Sequence, residues 1–238
     1  MNYAVIMAGG TGKRLWPLSR KARPKQILKL IDGETLLTKC FKRLVPLFDP
    51  KNILVLTNSQ YVDLVREELG ELPNENVIAE PAVRDTTGAI GLAAAILSKR
   101  DIDSTMAVVT ADHIIEPVDV FQKVISDAIT FVNANPETLI TFGVAPTFAS
   151  TQLGYIKCVE PKNFSSCKNQ IYTVEAFKEK PDEAAANEYI KDGRYFWNSG
   201  MFVWKTATIF EHLKKFVMDG EPLTSKVFLM SGSSKYRK

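Results

Sequence analysis

A chain of 238 residues, 45% hydrophobic and 24% charged, has the composition of an ordinary soluble domain and the length to bury roughly 70–75% of its unfolded surface in one core. The net charge of +3 is too small, and its basic residues too concentrated near the N-terminus, for a nucleic-acid binder. Cys40, Cys158 and Cys167 are odd in number and lack CxxC spacing, which argues against a disulfide framework or a zinc site and fits a reducing cytoplasm. No apolar run reaches the ~18–20 residues of a membrane span. Met1 leads straight into an apolar run, so no signal peptide is expected either.

Taken in order, Ala4-Val5-Ile6-Met7-Ala8 reads as a buried parallel strand. Gly9, Gly10, Thr11, Gly12 and Lys13 follow, then Arg14, Arg20, Lys21, Arg23, Lys25 and Lys29, with no acidic residue between Lys13 and Lys29. Glycines let a backbone approach a ligand closely, and successive N–H groups can then converge on an anion. Such a loop beside clustered cations suits polyphosphate; a glycine-rich turn beside a solvated basic surface is the plainer alternative. Two phosphate motifs are excluded. Gly12-Lys13 is followed by Arg14 and Met7 stands five residues before Gly12, so the P-loop fails, and Leu15 takes the third glycine place of GxGxxG.

Asp32-Gly33 predicts a turn, with Thr35 capping a helix through Leu36, Leu37, Cys40, Phe41, Leu44 and Leu47. Strands are predicted at 53–56, 77–79 and 106–109, and helices at 60–69, 88–97 and 118–132. Strand alternating with helix over the first ~140 residues is the α/β parallel-sheet pattern, with ligands expected at strand carboxyl ends. The second part changes texture, with strands at 139–144, 155–159, 171–177 and 201–204 and a helix at 183–191. Ile209, Phe210, Leu213, Phe216 and Val217 predict a last amphipathic helix, and the tail from Ser225 reads as poorly ordered.

The stretch AGGTGKRLWPLSRKARPKQ resembles the signature of sugar-nucleotide pyrophosphorylases (nucleotidylyltransferases). Leu15-Trp16-Pro17-Leu18-Ser19-Arg20 and Pro24-Lys25-Gln26 resemble the mannose-1-phosphate guanylyltransferase branch. The resemblance implies a three-layer, Rossmann-like α/β nucleotide-diphospho-sugar transferase fold with a mainly parallel central sheet. It covers 1–218, with a nucleotide-binding half at 1–140, a sugar-binding half at 141–218 and a short tail at 219–238. The implied reaction is GTP + mannose 1-phosphate → GDP-mannose + pyrophosphate, with Mg2+ as cofactor, in the cytoplasm, without nucleic acid or membrane partners; a homodimer stays open.

Further candidate residues follow the strands. Glu80, Pro81, Arg84, Asp85 and Thr86 resemble the purine-recognition loop of the guanylyl branch, while Asp85 or Thr86 could equally cap a helix. Asp112, at the end of the fourth strand, suits Mg2+ because a hard cation prefers oxygen, and the matching family aspartate holds the metal; a capping turn is the alternative. His113 is expected near the site as a packed, hydrogen-bonded side chain. The resemblance implies that Gly143, Gly154 and Tyr155 lie near the hexose, although two ordinary strand-end turns remain open. It also gives Glu179 the sugar hydroxyls, Lys180 the sugar phosphate, and Asn198 of Trp197-Asn198-Ser199-Gly200 an orientation towards the sugar.

Within the implied reaction, Arg14 and Lys25 are assigned to the β,γ-phosphates and Asp112 with Mg2+ to the bridging position. The nucleophile is already anionic, so no general base is needed, and catalysis rests on positioning and electrostatics. The family pattern includes a second, later metal-binding aspartate, whereas no acidic residue follows Glu221. A truncated or non-catalytic homologue that binds nucleotide or nucleotide sugar is therefore a second expectation. The same reaction with another nucleotide or hexose is a third.

Overall fold

The computed structural model describes residues 1–10, 17–20, 24–29, 32–81, 85–162, 164, 167–219, 227–230 and 235–237. Four strands, β1 (Asn2–Met7), β2 (Ile53–Asn58), β3 (Val77–Glu80) and β4 (Thr105–Thr110), pair in parallel in the order β3-β2-β1-β4. Helices α1 (Leu36–Leu44), α2 (Val62–Glu68) and α3 (Asp85–Arg100) join them, and α4 (Val118–Ala134) follows β4.

The continuous apolar run of β1 has a direct cause: both its faces are covered. Ala4 and Ile6 pack with Leu37, Cys40, Phe41 and Leu44 of α1 and the apolar stripe of α4. Tyr3 and Val5 pack on the opposite side with α3 and with α6 (Thr206–Asp219). Each Val or Ile so buried stabilises the sheet by roughly 1.5–3 kcal/mol. Thr35 caps α1 by accepting from the Thr38 amide at 3.0 Å, as its sequence position predicts.

Beyond β4 the sheet becomes mixed. Strands β6 (Leu139–Val144), β7 (Tyr155–Lys162), β8 (Ile171–Lys178), β9 (Tyr195–Lys205) and β10 (Val227–Met230) complete nine strands in the order β3-β2-β1-β4-β9-β6-β10-β8-β7. β9 runs antiparallel to both of its main neighbours, β4 and β6. The mainly parallel sheet expected from the sequence therefore holds for β3-β2-β1-β4, where helices cross over. Among the later strands β10 runs parallel to β6, while the β8–β10, β7–β8 and β7–β9 pairings are antiparallel. Helix α5 (Glu183–Asp192) begins at Asp182, whose side chain accepts from the Ala185 amide at 2.8 Å, and packs Ala186 and Tyr189 beside Tyr155, Tyr195 and Trp197.

Three strands escape the sequence pattern. β5 (Ile114–Glu116) pairs with β11 (Lys235–Arg237), and β10 inserts between β6 and β8. Leu229 and Met230 are fully buried there, which corrects the expectation of a poorly ordered tail at these residues. Four apolar residues among Ser, Gly and Lys are too short a run to show a period. Among the described residues no helix is long and apolar enough to cross a membrane.

Candidate active site

Among the described candidates, Ala8, Gly9, Lys25, Glu80 and Asp112 come together where β3, β1 and β4 end. At the end of β1 the Ala8 carbonyl accepts from Gln26 Nε2 at 2.5 Å and from Thr57 Oγ1 at 3.1 Å. Gln26 and Thr57 are both buried, so the backbone direction into Gly9 and Gly10 is fixed by two polar side chains. Gln26 sits in a 3-10 turn, Lys25–Ile27, and its bond also fixes Lys25. Gln26 belongs to the Pro24-Lys25-Gln26 stretch but has no assigned role there, and no spacing rule marks Thr57; their burial reveals what they hold.

Lys25 Nζ lies 2.9 Å from Asp112 Oδ2, joining the basic N-terminal segment to the end of β4 across 87 residues. The two side chains are 23% and 38% exposed. An ion pair this accessible contributes only about 0–1 kcal/mol to stability, so the fold itself gives little reason to keep it. His113 is buried, with Nε2 3.7 Å from Asp112 Oδ1, beyond hydrogen-bond range. It is buried next to Asp112, in keeping with the packing part of the expectation.

The structure also brings Glu80 to this edge. Its carboxylate lies against Gly9, where an added Cβ would stand 2.3 Å from Oε1. Burial raises the Glu80 carboxyl above the usual range. Pro81 follows in a bend, while Asp85 and Thr86 form the first turn of α3. Thr11, Gly12, Lys13, Arg14 and Arg84 lie outside the described residues.

A second cluster forms around Asn198. A Cβ on Gly154 would lie 3.1 Å from Glu179 Oε2 and 3.8 Å from Asn198 Cβ, and the Asn198 amide donates to the Gly154 carbonyl at 2.8 Å. Gly154, Glu179 and Asn198 thus meet. The Asn-Ser-Gly sequence, unusual for a strand, is a bulge inside β9: Thr141 pairs with Phe202 but Gly143 with Asn198. Gly200 there has φ +72°, a value that favours glycine. Its amide donates to Asn198 Oδ1 at 3.0 Å, and Ser199 Oγ donates to the Phe142 carbonyl at 2.7 Å. Bulges of this kind re-aim side chains at sites.

Gly200 also links the two clusters, since a Cβ on it would lie 3.8 Å from Thr110 Cγ2, two residues before Asp112. Glu179 and Lys180 form an exposed pair at 3.0 Å, 73% and 61% accessible, and Lys180 has φ +34°. Two other candidates make packing contacts. A Cβ on Gly143 would overlap Leu229 and Phe196, and the buried Tyr155 uses its hydroxyl to bind both the amide and the carbonyl of Ser150, anchoring the loop before β7.

No group of three or more His, Cys, Asp and Glu side chains that could hold a metal is present among the described residues. Asp112 alone fits a magnesium ion carried on nucleotide phosphates, which needs only one or two protein carboxylates. Its oxygen already accepts one cation, the Lys25 ammonium.

The chain is similar in sequence and in fold to known proteins. The chain is 41% identical over 214 residues to RfbM, a mannose-1-phosphate guanylyltransferase of Salmonella typhimurium, covering 88% of this chain and 43% of the relative. It is 39% identical over 221 residues to a mannose-1-phosphate guanylyltransferase of Escherichia coli, covering 92% and 46%. The chain thus spans about half the length of these curated relatives. A crystal structure of a mannose-1-phosphate geranyltransferase from Thermus thermophilus matches with a TM-score of 0.84 at 29% identity, over 99% of this chain and 75% of that one. The nucleotidyl transferase family profile matches residues 3–230, so the chain belongs to the nucleotidyl transferase family.

Proposed function

We propose that this chain transfers a guanylyl group from GTP to mannose 1-phosphate, giving GDP-mannose and pyrophosphate. The observation that carries the reading is the accessible ion pair between Lys25, in the 3-10 turn that Gln26 ties to the residue after β1, and Asp112, just beyond the end of β4. The nucleotide and hexose are suggested by the names of relatives about 40% identical to it. Residues 1–140 would form the nucleotide half and 141–218 the sugar half.

In this reaction an oxygen of mannose 1-phosphate attacks the α-phosphorus of GTP. The bond to the bridging β-phosphate oxygen breaks, and its electron pair leaves with pyrophosphate. The attacking oxygen is already anionic, so no proton has to be removed. Lys25 and Arg14 bind the β,γ-phosphates and stabilise charge developing on the leaving group. Lys180 neutralises the sugar phosphate, Glu179 and Asn198 orient the hexose, and Glu80 with Pro81 lies against the base. Asp112 would hold Mg2+, which supplies positive charge and a template for the two phosphates when bound.

The test is Mg2+-dependent pyrophosphate release from mannose 1-phosphate with GTP, ATP, UTP and dTTP offered in turn. Release with GTP alone is expected; release with another nucleotide would move the specificity and keep the chemistry. The lack of a group of three or more metal-holding side chains among the described residues favours one second reading, a module that binds nucleotide without turnover. GTP binding without release would select it.

A further inference from the structure

Helix α1 reaches under the Asp112 turn with two side chains one helical turn apart. Cys40 Sγ donates to the Thr110 carbonyl at 3.7 Å, and Arg43 Nη1 donates to the His113 carbonyl at 3.0 Å. These carbonyls bracket Ala111 and Asp112, while the Ala111 amide donates to the Met7 carbonyl of β1 at 3.0 Å. The backbone that presents Asp112 is therefore held at three points. The Asp112 side chain itself stays accessible beside Lys25.

Arg43 is 4% exposed. Its guanidinium lies over the Phe121 ring at 5.5 Å, and its Nε has no hydrogen-bond partner. Withdrawing a guanidinium from water is costly, and an apolar side chain of similar volume would serve packing between α1 and α4 at least as well. Core stability alone does not account for an arginine here. Among the described residues, its side-chain hydrogen bond to the main chain goes to the residue beside Asp112.

We infer that Arg43 is a positioning residue for Asp112, holding the 110–113 turn in the geometry in which the carboxylate meets Lys25. The kinetic consequence rests on the proposed function; the positioning itself does not. The first test is therefore native-state hydrogen exchange in the wild type and Arg43→Met, which removes the donor and keeps the bulk. Exchange about 5–10-fold faster in peptides covering 110–114, with α1 and α4 unchanged, is expected for local loosening. Unchanged exchange at 110–114, or an equal rise throughout α1 and α4, overturns the inference. If Arg43→Met does not fold, Arg43→Leu, which also removes the donor, is read by the same criteria.

The second test is a double-mutant cycle on pyrophosphate release. Arg43→Met is expected to lower kcat about 10–100-fold, the range for partners that orient a metal ligand, while KM for GTP stays within about threefold of the wild type. Arg43→Lys, which keeps a donor, recovers much of the loss. In an Asp112→Ala background Arg43→Met adds no further loss, because the side chain it positions is gone. Losses that multiply in the double variant overturn the inference. Localised exchange in a protein that releases no pyrophosphate sustains the positioning role and refutes the functional reading instead.

Discussion

The carboxylate of Glu80, at the end of β3, lies over Gly9, at the end of β1, so closely that a Cβ on Gly9 would stand 2.3 Å from Oε1 and 3.3 Å from Cδ. The crowding involves the far end of a flexible side chain and no backbone atom. Gly9→Ala should therefore fold with stability within about 1 kcal/mol of the wild type, by pushing the carboxylate aside. GTP affinity should fall because both the loop and Glu80 are displaced. Calorimetric titration of GTP together with thermal unfolding separates the two effects, and undiminished affinity would remove Glu80 and Gly9 from the nucleotide site.

Glu80 also predicts a pH dependence. Burial raises its carboxyl above the ordinary value, so the folded protein holds the proton more tightly than the unfolded chain. The stability from the protonated form is fully present below the ordinary carboxylate range and lost as pH rises through the raised folded value. Glu80→Gln, which mimics the protonated form, should unfold at a higher temperature than the wild type near pH 7. The gap should close at roughly pH 4, near the unperturbed glutamate value, and stay small because solvent reaches the group. Equal melting temperatures at both pH values would refute the burial penalty.

Much of this site is legible in the sequence, for a physical reason. β1 is buried on both faces and so reads as an unbroken apolar run, and the glycines and cations after it stand out in composition. Lys25 and Asp112 are separately visible as a charge after a loop and a carboxylate after a strand, and the fold brings them together. Arg43 and Thr57 are not marked by the sequence, because a polar residue in an apolar stretch shows its partner only once the neighbouring element is placed, and the bond of Gln26 to Ala8 likewise appears only in the fold. Asn198-Ser199-Gly200 resembles a strand end because Gly200 needs positive φ, yet β9 continues through it as a bulge. β10 is missed because its four residues gain their burial from β6 and β8 and carry no period of their own.

Lys180 has φ +34° immediately before Pro181, a conformation that costs a lysine roughly 1–3 kcal/mol. Glycine accepts that geometry, although it gives back about 0.5–1 kcal/mol through the unfolded chain. Lys180→Gly should thus match or slightly exceed the wild type in urea unfolding. The ammonium is lost, so KM for mannose 1-phosphate should rise by about tenfold or more, equivalent to the ~1.5–3 kcal/mol of one hydrogen bond to a charged group. A variant less stable than Lys180→Ala would show that the positive φ carries no strain.

Lys25→Ala separates catalysis from folding most cleanly, because its ammonium pairs with Asp112 at 2.9 Å in a partly exposed position. Removing an accessible ion pair changes stability by about 0–1 kcal/mol, whereas removing a preorganised stabiliser of developing charge lowers kcat about 10²–10³-fold. The variant should keep the wild-type unfolding midpoint to within a few degrees and lose most of its pyrophosphate release. Methionine at the same position keeps a long unbranched side chain and removes the charge. Lys25→Met should therefore match Lys25→Ala in rate, since charge and not bulk is what the leaving pyrophosphate requires. Near-wild-type release from either variant would place the leaving-group cation elsewhere, and a large loss of stability would mean that Lys25 chiefly holds the 3-10 turn in place.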